Sequence, residues 1–416
     1  MSDGAVLEGC LAEAGYKQAS SIESADVVIL NTCAVKGPTE NRMIEISKRV
    51  PTAKKLIVTG CLPLVNFERI QDEVHFNGIA GPALGEKIVE IVKRVSNGET
   101  VIMLEEAACG LPNLDLPRVQ SSPMISIVPV SYGCLGSCAY CCVVFARGRL
   151  RSYDIRDIVK RVEKDVESGL REIWITSQDT ACYGRDKGTN LASLLRALCN
   201  IQRDFRVRLG MMTPNNALDM LTDLVQAFHD ERIFKFIHLP VQTGDDEILK
   251  RMKRGYSVSD FKRVVKAFRE SFPDLTLATD IICGFPSETE EEFQRTLTLM
   301  EEVKPDVVNI SKFFARPKTF AASMKKDMIP LSEIKARSVR ASTLAKKLSL
   351  ENNQRWIGWT GKVFVDEAGK VPGSWVGRNF AYKPVAVKSG SKLIGKLVPA
   401  KISEVFPTYL QGIITQ

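Results

Sequence analysis

Four cysteines lie within nine positions of the segment SYGCLGSCAYCCVVFARGRL, residues 131–150. Cys134, Cys138 and Cys141 have CxxxCxxC spacing, and three thiolates on one short loop can bind three irons of a [4Fe–4S] cluster. The fourth iron then keeps an open coordination position, which catalytic metal centres need. The alternative is a structural zinc site with Cys142 as a fourth ligand, although zinc sites favour paired CxxC units. We interpret Cys142 as a packed thiol.

Two further cysteines follow predicted strands near the start of the chain. ADVVILN (25–31) and KKLIVTG (54–60) have the apolar pattern of buried strands, and Cys33 and Cys61 lie just past their ends. The carboxyl ends of the strands in an open α/β sheet form the edge where ligands usually bind. Helical patterns alternate with these strands near 4–14, 38–50 and 84–95. Residues 1–95 are therefore predicted to form an open α/β domain.

The cysteine loop itself belongs to a longer series of predicted strand–helix units. Proline-spaced residues mark a linker over 96–124, and the units occupy 125–355. After the helix DIRDIVKRVEKDVESGL, the later strands are expected at 171–177, 206–212, 233–242, 275–283 and 306–312. The helices between them are expected at 217–229, 245–253, 258–271 and 289–303, with a last helix at 331–355. About six such units predict a partial (βα)6 barrel of parallel strands with its site at their carboxyl ends.

The C-terminal segment 356–416 is short-stranded and basic. Runs such as GKVFVDE and KPVAVK predict a small antiparallel β-barrel. The segment has eight Lys and Arg against three Asp and Glu, which is +5 of the chain's net +8. We expect phosphate contacts here and beside the cysteine loop, the alternative being solvated surface charge. The residues chosen are Arg147, Arg149, Arg151, Lys362, Arg378 and Lys383.

Composition excludes several other classes of protein. The apolar runs, such as DVVIL, are far shorter than the roughly 20 residues of a membrane span, so we expect a cytoplasmic protein. In that reducing compartment, 11 cysteines indicate metal binding rather than a disulfide framework. The sequence has no GxxxxGK[ST] loop, no GxGxxG after a strand and only three histidines. Nucleotide hydrolysis, dinucleotide redox chemistry and histidine-based catalysis therefore lack support.

Several motifs together resemble one family. CLGSCAYC followed by VVFARGRLRS is similar to the radical S-adenosylmethionine (SAM) enzymes, and within them to the tRNA methylthiotransferases. EIWITSQDTACYGRD, HLPVQTGDDEILKRMKR and TDIICGFPSETEEEF resemble barrel motifs of that family, and the basic tail resembles its TRAM RNA-binding domain. SQDT…YGRD and FFARPKT are most similar to the archaeal and eukaryotic branch that acts on N6-threonylcarbamoyladenosine.

The resemblance implies how the barrel uses its cofactor. The open iron of the first cluster would bind SAM, whose reductive cleavage gives a 5′-deoxyadenosyl radical, while the protein positions and shields it. Polar residues at strand ends would contact SAM. By their motif positions, these are Ser177, Gln178, Gln242, Asp280, Gly284 and Glu288. Alternatively, Gly284 shapes a turn and Ser177 caps a helix.

The resemblance also implies a second, auxiliary [4Fe–4S] cluster that supplies sulfur. Cys33 and Cys61 match two of its three ligands. In the family the third ligand follows an opening strand, which would precede Met1 here, so we expect this strand and its cysteine to be missing. Cys10 falls in the following helix and fits a buried thiol better. The auxiliary cluster is therefore expected to be incomplete in this chain.

The reaction implied is insertion of a methylthio group at C2 of threonylcarbamoyladenosine, 3′ of the anticodon. The expected partners are the anticodon loop of tRNA, an electron donor and a sulfur source, with no role for DNA or a membrane. One alternative is the same reaction on isopentenyladenosine. Another is a tRNA-binding protein that has lost sulfur transfer with the missing cysteine. Release of 5′-deoxyadenosine separates the enzyme from the binding protein.

Overall fold

The computed structural model of the protein describes residues 2–34, 36–104, 111–120 and 122–415. The chain folds into two compact units. The first unit comprises Met1–Ser121, Ser131–Tyr153 and Phe314–Lys325, and the second comprises Ser122–Val130, Asp154–Phe313 and Lys326–Gln416. The cysteine loop therefore groups with the N-terminal residues. The four segments predicted along the chain stay a prediction.

Strands and helices alternate over most of the described residues. The strands are β1 Val27–Thr32, β2 Lys55–Gly60, β3 Gly78–Ala80, β4 Val101–Met103, β5 Ile125–Pro129, β6 Ser131–Tyr132, β7 Arg151–Ser152, β8 Glu172–Thr176, β9 Arg206–Leu209, β10 Phe236–His238, β11 Thr276–Cys283, β12 Val307–Lys312, β13 Thr360–Ala368, β14 Ser374–Arg378, β15 Pro384–Lys388, β16 Leu397–Val405 and β17 Leu410–Ile414. The α-helices are α1 Ser2–Glu13, α2 Gly37–Lys48, α3 Leu62–Val65, α4 Phe67–Glu73, α5 Lys87–Ser96, α6 Val143–Arg147, α7 Ile155–Glu167, α8 Leu191–Cys199, α9 Pro214–Leu218, α10 Leu221–Ala227, α11 Asp246–Arg251, α12 Val258–Ser271, α13 Glu290–Val303, α14 Phe320–Ser323 and α15 Leu331–Gln354. Short 3₁₀ turns occupy Thr180–Cys182, Arg185–Lys187 and Lys325–Asp327. Among the described residues, no helix is both long and apolar enough to cross a membrane.

The first unit contains a parallel sheet in the order β1-β2-β3-β4. Apolar clusters cover its two faces, and the helix α1 places Cys10 in one of them as a buried thiol. Thr32 pairs with Gly60 in the register of β1 and β2, so the two strands end at the same level. Gly60 has φ of +97°, and a Cβ there would collide with the Thr32 carbonyl oxygen, so this strand end requires glycine.

The second unit contains the predicted partial barrel of six parallel strands. Three of them form the sheet β5-β8-β9 and three form the sheet β10-β11-β12. Isolated parallel bridges, such as Met211 with His238, connect β9 to β10. Capping boxes begin the helices α12 and α13, where Ser257 and Thr289 accept hydrogen bonds from the third helical residue. The sheet prediction for this segment is confirmed.

The end of the second unit is a closed five-stranded barrel in the order β13-β14-β15-β17-β16. Its core includes Val363, Val385 and Ala400 and also Trp356, which follows the long helix α15. The prediction of a small C-terminal barrel is confirmed. One detail differs, because β15 and β17 pair in parallel while the other neighbours are antiparallel.

Three predicted elements differ in the structure, and the first is the strand expected at 233–242, which is only the three-residue β10. The helix expected at 217–229 is two helices, because Met220 has non-helical angles of φ −131° and ψ 24° and buries its side chain. The predicted linker begins with a strand, since β4 pairs with β3 through the contact of Gly78 with Val101. This pairing completes the sheet, which the proline-rich pattern of the segment did not reveal. Residues 105–110 and 121 of that linker lie outside the described residues.

Candidate functional site

The cysteine loop connects the strand β6 to the helix α6. The Gly136 amide donates to Cys134 Sγ over 3.2 Å, and the Cys141 amide donates to the Cys138 carbonyl over 3.1 Å. A Cβ at Gly136 would lie 3.4 Å from Cys134 Sγ and 3.5 Å from Cys138 Sγ, so these two sulfurs flank the glycine. Burial raises the pKa of the Cys141 thiol to about 12, and charge on Cys138 and Cys134 also raises it. The loop therefore brings the three predicted ligands together.

Three cysteines on one short loop are a donor set that suits an iron–sulfur cluster. Within the described parts of the chain, no three His, Cys, Asp or Glu side chains are placed to hold one metal ion. Each cysteine of a [4Fe–4S] cluster binds a different iron, so the sulfurs are farther apart than ligands around one ion. Cys142 is buried, and its thiol donates to the Ala34 carbonyl over 3.4 Å. Cys142 therefore packs inside the protein with a hydrogen-bond partner of its own.

Cys33 and Cys61 lie past the ends of β1 and β2, as the sequence indicated. Cys33 is exposed and Cys61 is half-buried. Burial raises the pKa of Cys61, whereas the charge of Arg147 and its hydrogen bond to the sulfur act in the opposite direction. Arg147 Nη2 donates to Asp3 Oδ2 over 2.6 Å, and the Tyr132 hydroxyl donates to Asp3 Oδ1 over 2.9 Å. The hydrogen bond to Asp3 therefore fixes the positively charged Arg147 side chain beside the Cys61 sulfur.

Ser177 and Gln178 follow the carboxyl end of β8 in the second unit. Ser177 Oγ and Gln178 Oε1 are buried and have no hydrogen-bond partner among the residues that the structure describes. Buried polar atoms are nearly always hydrogen-bonded, so these two atoms fit the polar groups of a bound ligand. Asp179 caps the 3₁₀ turn that follows by accepting from the Ala181 amide, so Ser177 is not the cap.

Gln242 lies past the end of β10 and contacts Asp280, which lies within β11. Gln242 has φ of +73°, a left-handed conformation that is costly for glutamine and concentrates at functional sites. Its amide donates to the Asp280 carbonyl over 2.8 Å. Asp280 Oδ1 accepts from Asn309 Nδ2 over 2.8 Å and lies 3.0 Å from His238 Nε2. On neighbouring barrel strands, a polar cluster therefore lies next to Gln242 and consists of Asp280, Asn309 and His238.

Gly284 and Glu288 shape the loop after β11. The Gly284 amide and Arg337 Nη1 both donate to Glu288 Oε2 over 2.8 Å. Gly284 has φ of +79°, and a Cβ there would lie 2.5 Å from Ile334 Cγ1 on α15. Burial raises the pKa of Glu288, which Arg337 opposes. The protein thus already uses the Glu288 carboxylate and the space beside Gly284, and contact of these two residues with SAM stays a prediction.

The basic residues chosen for RNA contacts are of two kinds. Arg149 and Lys362 are exposed, and Arg151 is half-buried. The other three are held by carboxylates: Arg147 by Asp3, Arg378 by Asp366 and Glu367, and Lys383 by Asp306. The charges of these three residues are therefore already compensated inside the protein, and their contact with RNA stays a prediction. Phosphate would have to displace a bound carboxylate to reach them.

The sequence did not single out four polar residues of the second unit. They are Arg208, His238, Asn309 and Arg337, which lie on β9, β10, β12 and α15. A charged residue at an inward position of a strand is a signal, and RVRL contains one. The sequence pattern predicted the strand, but only the packing of neighbouring strands shows which groups Arg208 meets.

Three family models match the chain. The Radical SAM superfamily model matches residues 128–300, the Uncharacterized protein family UPF0004 model matches residues 1–81, and the TRAM domain model matches residues 354–415. These matches follow the order of the predicted segments.

Relatives match the chain over nearly its full length. A probable threonylcarbamoyladenosine tRNA methylthiotransferase of Pyrococcus abyssi is 41% identical over 413 residues, covering 99% of this chain and 96% of the relative. The threonylcarbamoyladenosine tRNA methylthiotransferase of Homo sapiens is 37% identical over 418 residues, covering 99% of this chain and 71% of the relative.

Solved structures resemble the fold at low sequence identity. The radical S-adenosylmethionine methyltransferase TsrM of Kitasatospora setae has a TM-score of 0.52 at 15% identity, covering 75% of this chain and 66% of that one. The cobalamin-dependent S-adenosylmethionine radical enzyme OxsB has a TM-score of 0.52 at 11% identity, covering 83% and 58%. The chain thus spans about two thirds or less of these proteins, and the likeness concerns the fold alone.

Proposed function

Because the chain belongs to the threonylcarbamoyladenosine tRNA methylthiotransferases, a family of radical SAM enzymes, we propose that it attaches a methylthio group to C2 of N6-threonylcarbamoyladenosine in tRNA. The modified nucleoside would be the one 3′ of the anticodon. The observation that carries this proposal is the match to such enzymes along nearly the whole chain. A nucleoside in a single-stranded loop suits this reaction, because a target base must leave its stack to reach a catalytic centre.

Cys134, Cys138 and Cys141 are the proposed ligands of the cluster that works with SAM. Bound there, cluster and SAM supply the one-electron chemistry that activates an inert C–H bond. The protein contributes the three thiolates and the fold of the loop, in which the Gly136 amide donates to the Cys134 sulfur. Such amide hydrogen bonds to sulfur tune a cluster's reduction potential.

We propose that Ser177, Gln178, Gln242 and Asp280 bind SAM. The unpartnered atoms Ser177 Oγ and Gln178 Oε1 support this role, as does the strained backbone of Gln242. Gly284 and Glu288 act indirectly, by fixing the loop that follows β11. Asp280 is held by Asn309 and His238, and a side chain held in this way orients a ligand without further reorganisation.

A second cluster at Cys33 and Cys61 is proposed as the sulfur carrier. The shared level of the two strand ends and the charge of Arg147 beside Cys61 support it. An electron donor and a sulfur source would serve the two clusters. We also propose that Arg149, Lys362 and half-buried Arg151 contact tRNA phosphates, and that the protein works in the cytoplasm, where its thiols stay reduced.

The test is an anaerobic reconstitution followed by turnover. Iron is counted per chain, and then SAM, a reductant and threonylcarbamoyladenosine tRNA are added before the nucleosides are analysed by mass spectrometry. Product carrying a methylthio group supports the proposal, and isopentenyladenosine tRNA is the control substrate. About four irons per chain would indicate one cluster and about eight would indicate two. If the reduced, reconstituted protein releases no 5′-deoxyadenosine, radical SAM activity is refuted.

A further inference from the structure

Arg208 lies on the inner face of the strand β9, directly opposite Trp174 of β8. Its guanidinium carbon lies 5.3 Å from the centre of the Trp174 ring and 5.0 Å from that of Phe236. The ring of Tyr382, from the C-terminal barrel, lies 5.8 Å away. Arginine stacks favourably on aromatic faces, so three rings hold this side chain inside the barrel.

Arg208 keeps hydrogen-bonding groups that no described residue uses. A guanidinium has five N–H donors, and Arg208 Nε is buried without a partner. Among the residues that the structure describes, no carboxylate lies within ion-pair distance of Arg208 and no acceptor receives its protons. Arginines elsewhere in the interior, such as Arg337 and Arg378, each bind a carboxylate. Arg208 therefore lacks the bound carboxylate that these two arginines have.

Glu172 is the acidic residue whose charge acts on Arg208, but its carboxylate is directed to other partners. Glu172 Oε1 accepts from Trp174 Nε1 over 2.5 Å and from the Tyr382 hydroxyl over 3.0 Å, which directs the carboxylate to the rings. Burial raises the pKa of Glu172 to about 7, so its negative charge is only partly developed near neutral pH. The guanidinium of Arg208 is left with unused donors and an incomplete counter-charge.

We propose that Arg208 binds a carboxylate inside the barrel, and that this carboxylate belongs to the threonylcarbamoyl group of the target adenosine. The proposal rests on the proposed function. A guanidinium fork matches a carboxylate through two parallel N–H···O bonds, and the low-dielectric aromatic surroundings strengthen them. Backbone phosphates of a folded RNA stay at the protein surface, whereas a side group on a splayed base can enter the barrel. SAM also carries a carboxylate, and the test distinguishes the two sources.

The test uses an anticodon stem-loop that carries threonylcarbamoyladenosine, and the same stem-loop with the threonyl carboxylate converted to an amide. Binding is measured by fluorescence anisotropy with the full-length protein and with Arg208→Met, Arg208→Lys and Arg206→Met. Arg206 is the matched control, because it lies on the same strand but donates to the exposed Asp204 over 3.4 Å. Thermal midpoints identify any variant that fails to fold, and the lysine variant keeps the charge if the methionine variant does not fold.

The unaltered protein should bind the acid about tenfold to a hundredfold more tightly than the amide, the usual value of a hydrogen-bonded charge. Arg208→Met should bind both stem-loops equally, Arg208→Lys should keep part of the preference, and Arg206→Met should keep all of it. An unaltered protein without a preference, or a preference that survives in Arg208→Met, would overturn the proposal.

Measuring SAM cleavage without tRNA shows whether the carboxylate belongs to SAM or to the nucleoside. If Arg208→Met raises the KM for SAM and keeps the preference for the acid, the carboxylate is that of SAM and the assignment to the nucleoside is wrong. Failure of the proposed function is a separate result. It would appear as absence of methylthiolated product from the unaltered protein, whatever the stem-loop affinities are.

Discussion

Replacing Arg337 by methionine tests how the loop after β11 is held. Arg337 is buried, and it binds both the carboxylate and the carbonyl of Glu288, each over 2.8 Å. Methionine keeps the apolar stem but leaves the Glu288 carboxylate, whose side chain is 1% exposed, without its counter-charge. Breaking a buried pair on one side costs about 3–5 kcal/mol. Arg340→Met on the same helix removes an exposed pair with Glu290, worth about 1 kcal/mol or less, together with a hydrogen bond to Gln294 and a contact with the Phe293 ring.

The loss of stability in Arg337→Met should change with pH, and the titration of Glu288 sets the direction of that change. Burial already raises the pKa of this carboxyl in the folded protein, and loss of Arg337 raises it further. A group with a raised folded pKa favours the folded state below its unfolded pKa of about 4.3, and that advantage is lost as pH rises. The difference between Arg337→Met and the unaltered protein should therefore grow between pH 5 and pH 8, by at most about 1.4 kcal/mol per unit.

Urea unfolding of the reduced protein at several pH values measures these differences. Adding Glu288→Gln to Arg337→Met removes the buried charge and keeps an acceptor for the Gly284 amide, so the double variant should recover most of the lost stability. The interpretation is wrong if Arg337→Met unfolds at the same urea concentration as Arg340→Met. It is also wrong if the double variant is no more stable than Arg337→Met alone.

Three other changes have definite expected results. Cys141→Ala should lower the iron content of the reconstituted protein by about four per chain, while Cys142→Ala leaves it unchanged; equal losses would contradict the ligand assignment. Gly284→Ala should raise the KM for SAM and destabilise the fold by about 1–3 kcal/mol, because its Cβ would lie 2.5 Å from the Ile334 side chain; a variant with unchanged KM and stability would show that the loop adapts. Burial raises the pKa of Glu172 to about 7, so unfolding free energy should fall by up to about 3 kcal/mol as pH rises from 4.5 to 7, and Glu172→Gln should flatten this slope; parallel pH curves in urea unfolding would refute it.

The fold could be predicted from local patterns because its elements are strongly periodic. The helix expected at 258–271 is α12 with the same bounds, and the strands around Cys33 and Cys61 differ by one or two residues from those predicted. The patterns failed where a short element depends on a distant partner. β4 has three residues, which become a strand only because Gly78–Ala80 lies beside them. The parallel pairing of β15 with β17 is likewise a property of barrel closure.

The sequence by itself determined which residues can bind irons, since CxxxCxxC places three thiolates on one loop whatever surrounds it. It also determined the order of strands and helices and the family. Only the tertiary structure decided which partner each charged side chain binds. Arg147, Arg378 and Lys383 look like phosphate contacts in the sequence, yet each is bound to a carboxylate distant from it in the chain or across a strand pair. The physical reason is that a charge's partner is set by which surfaces meet on folding, and spacing along the chain carries no record of that.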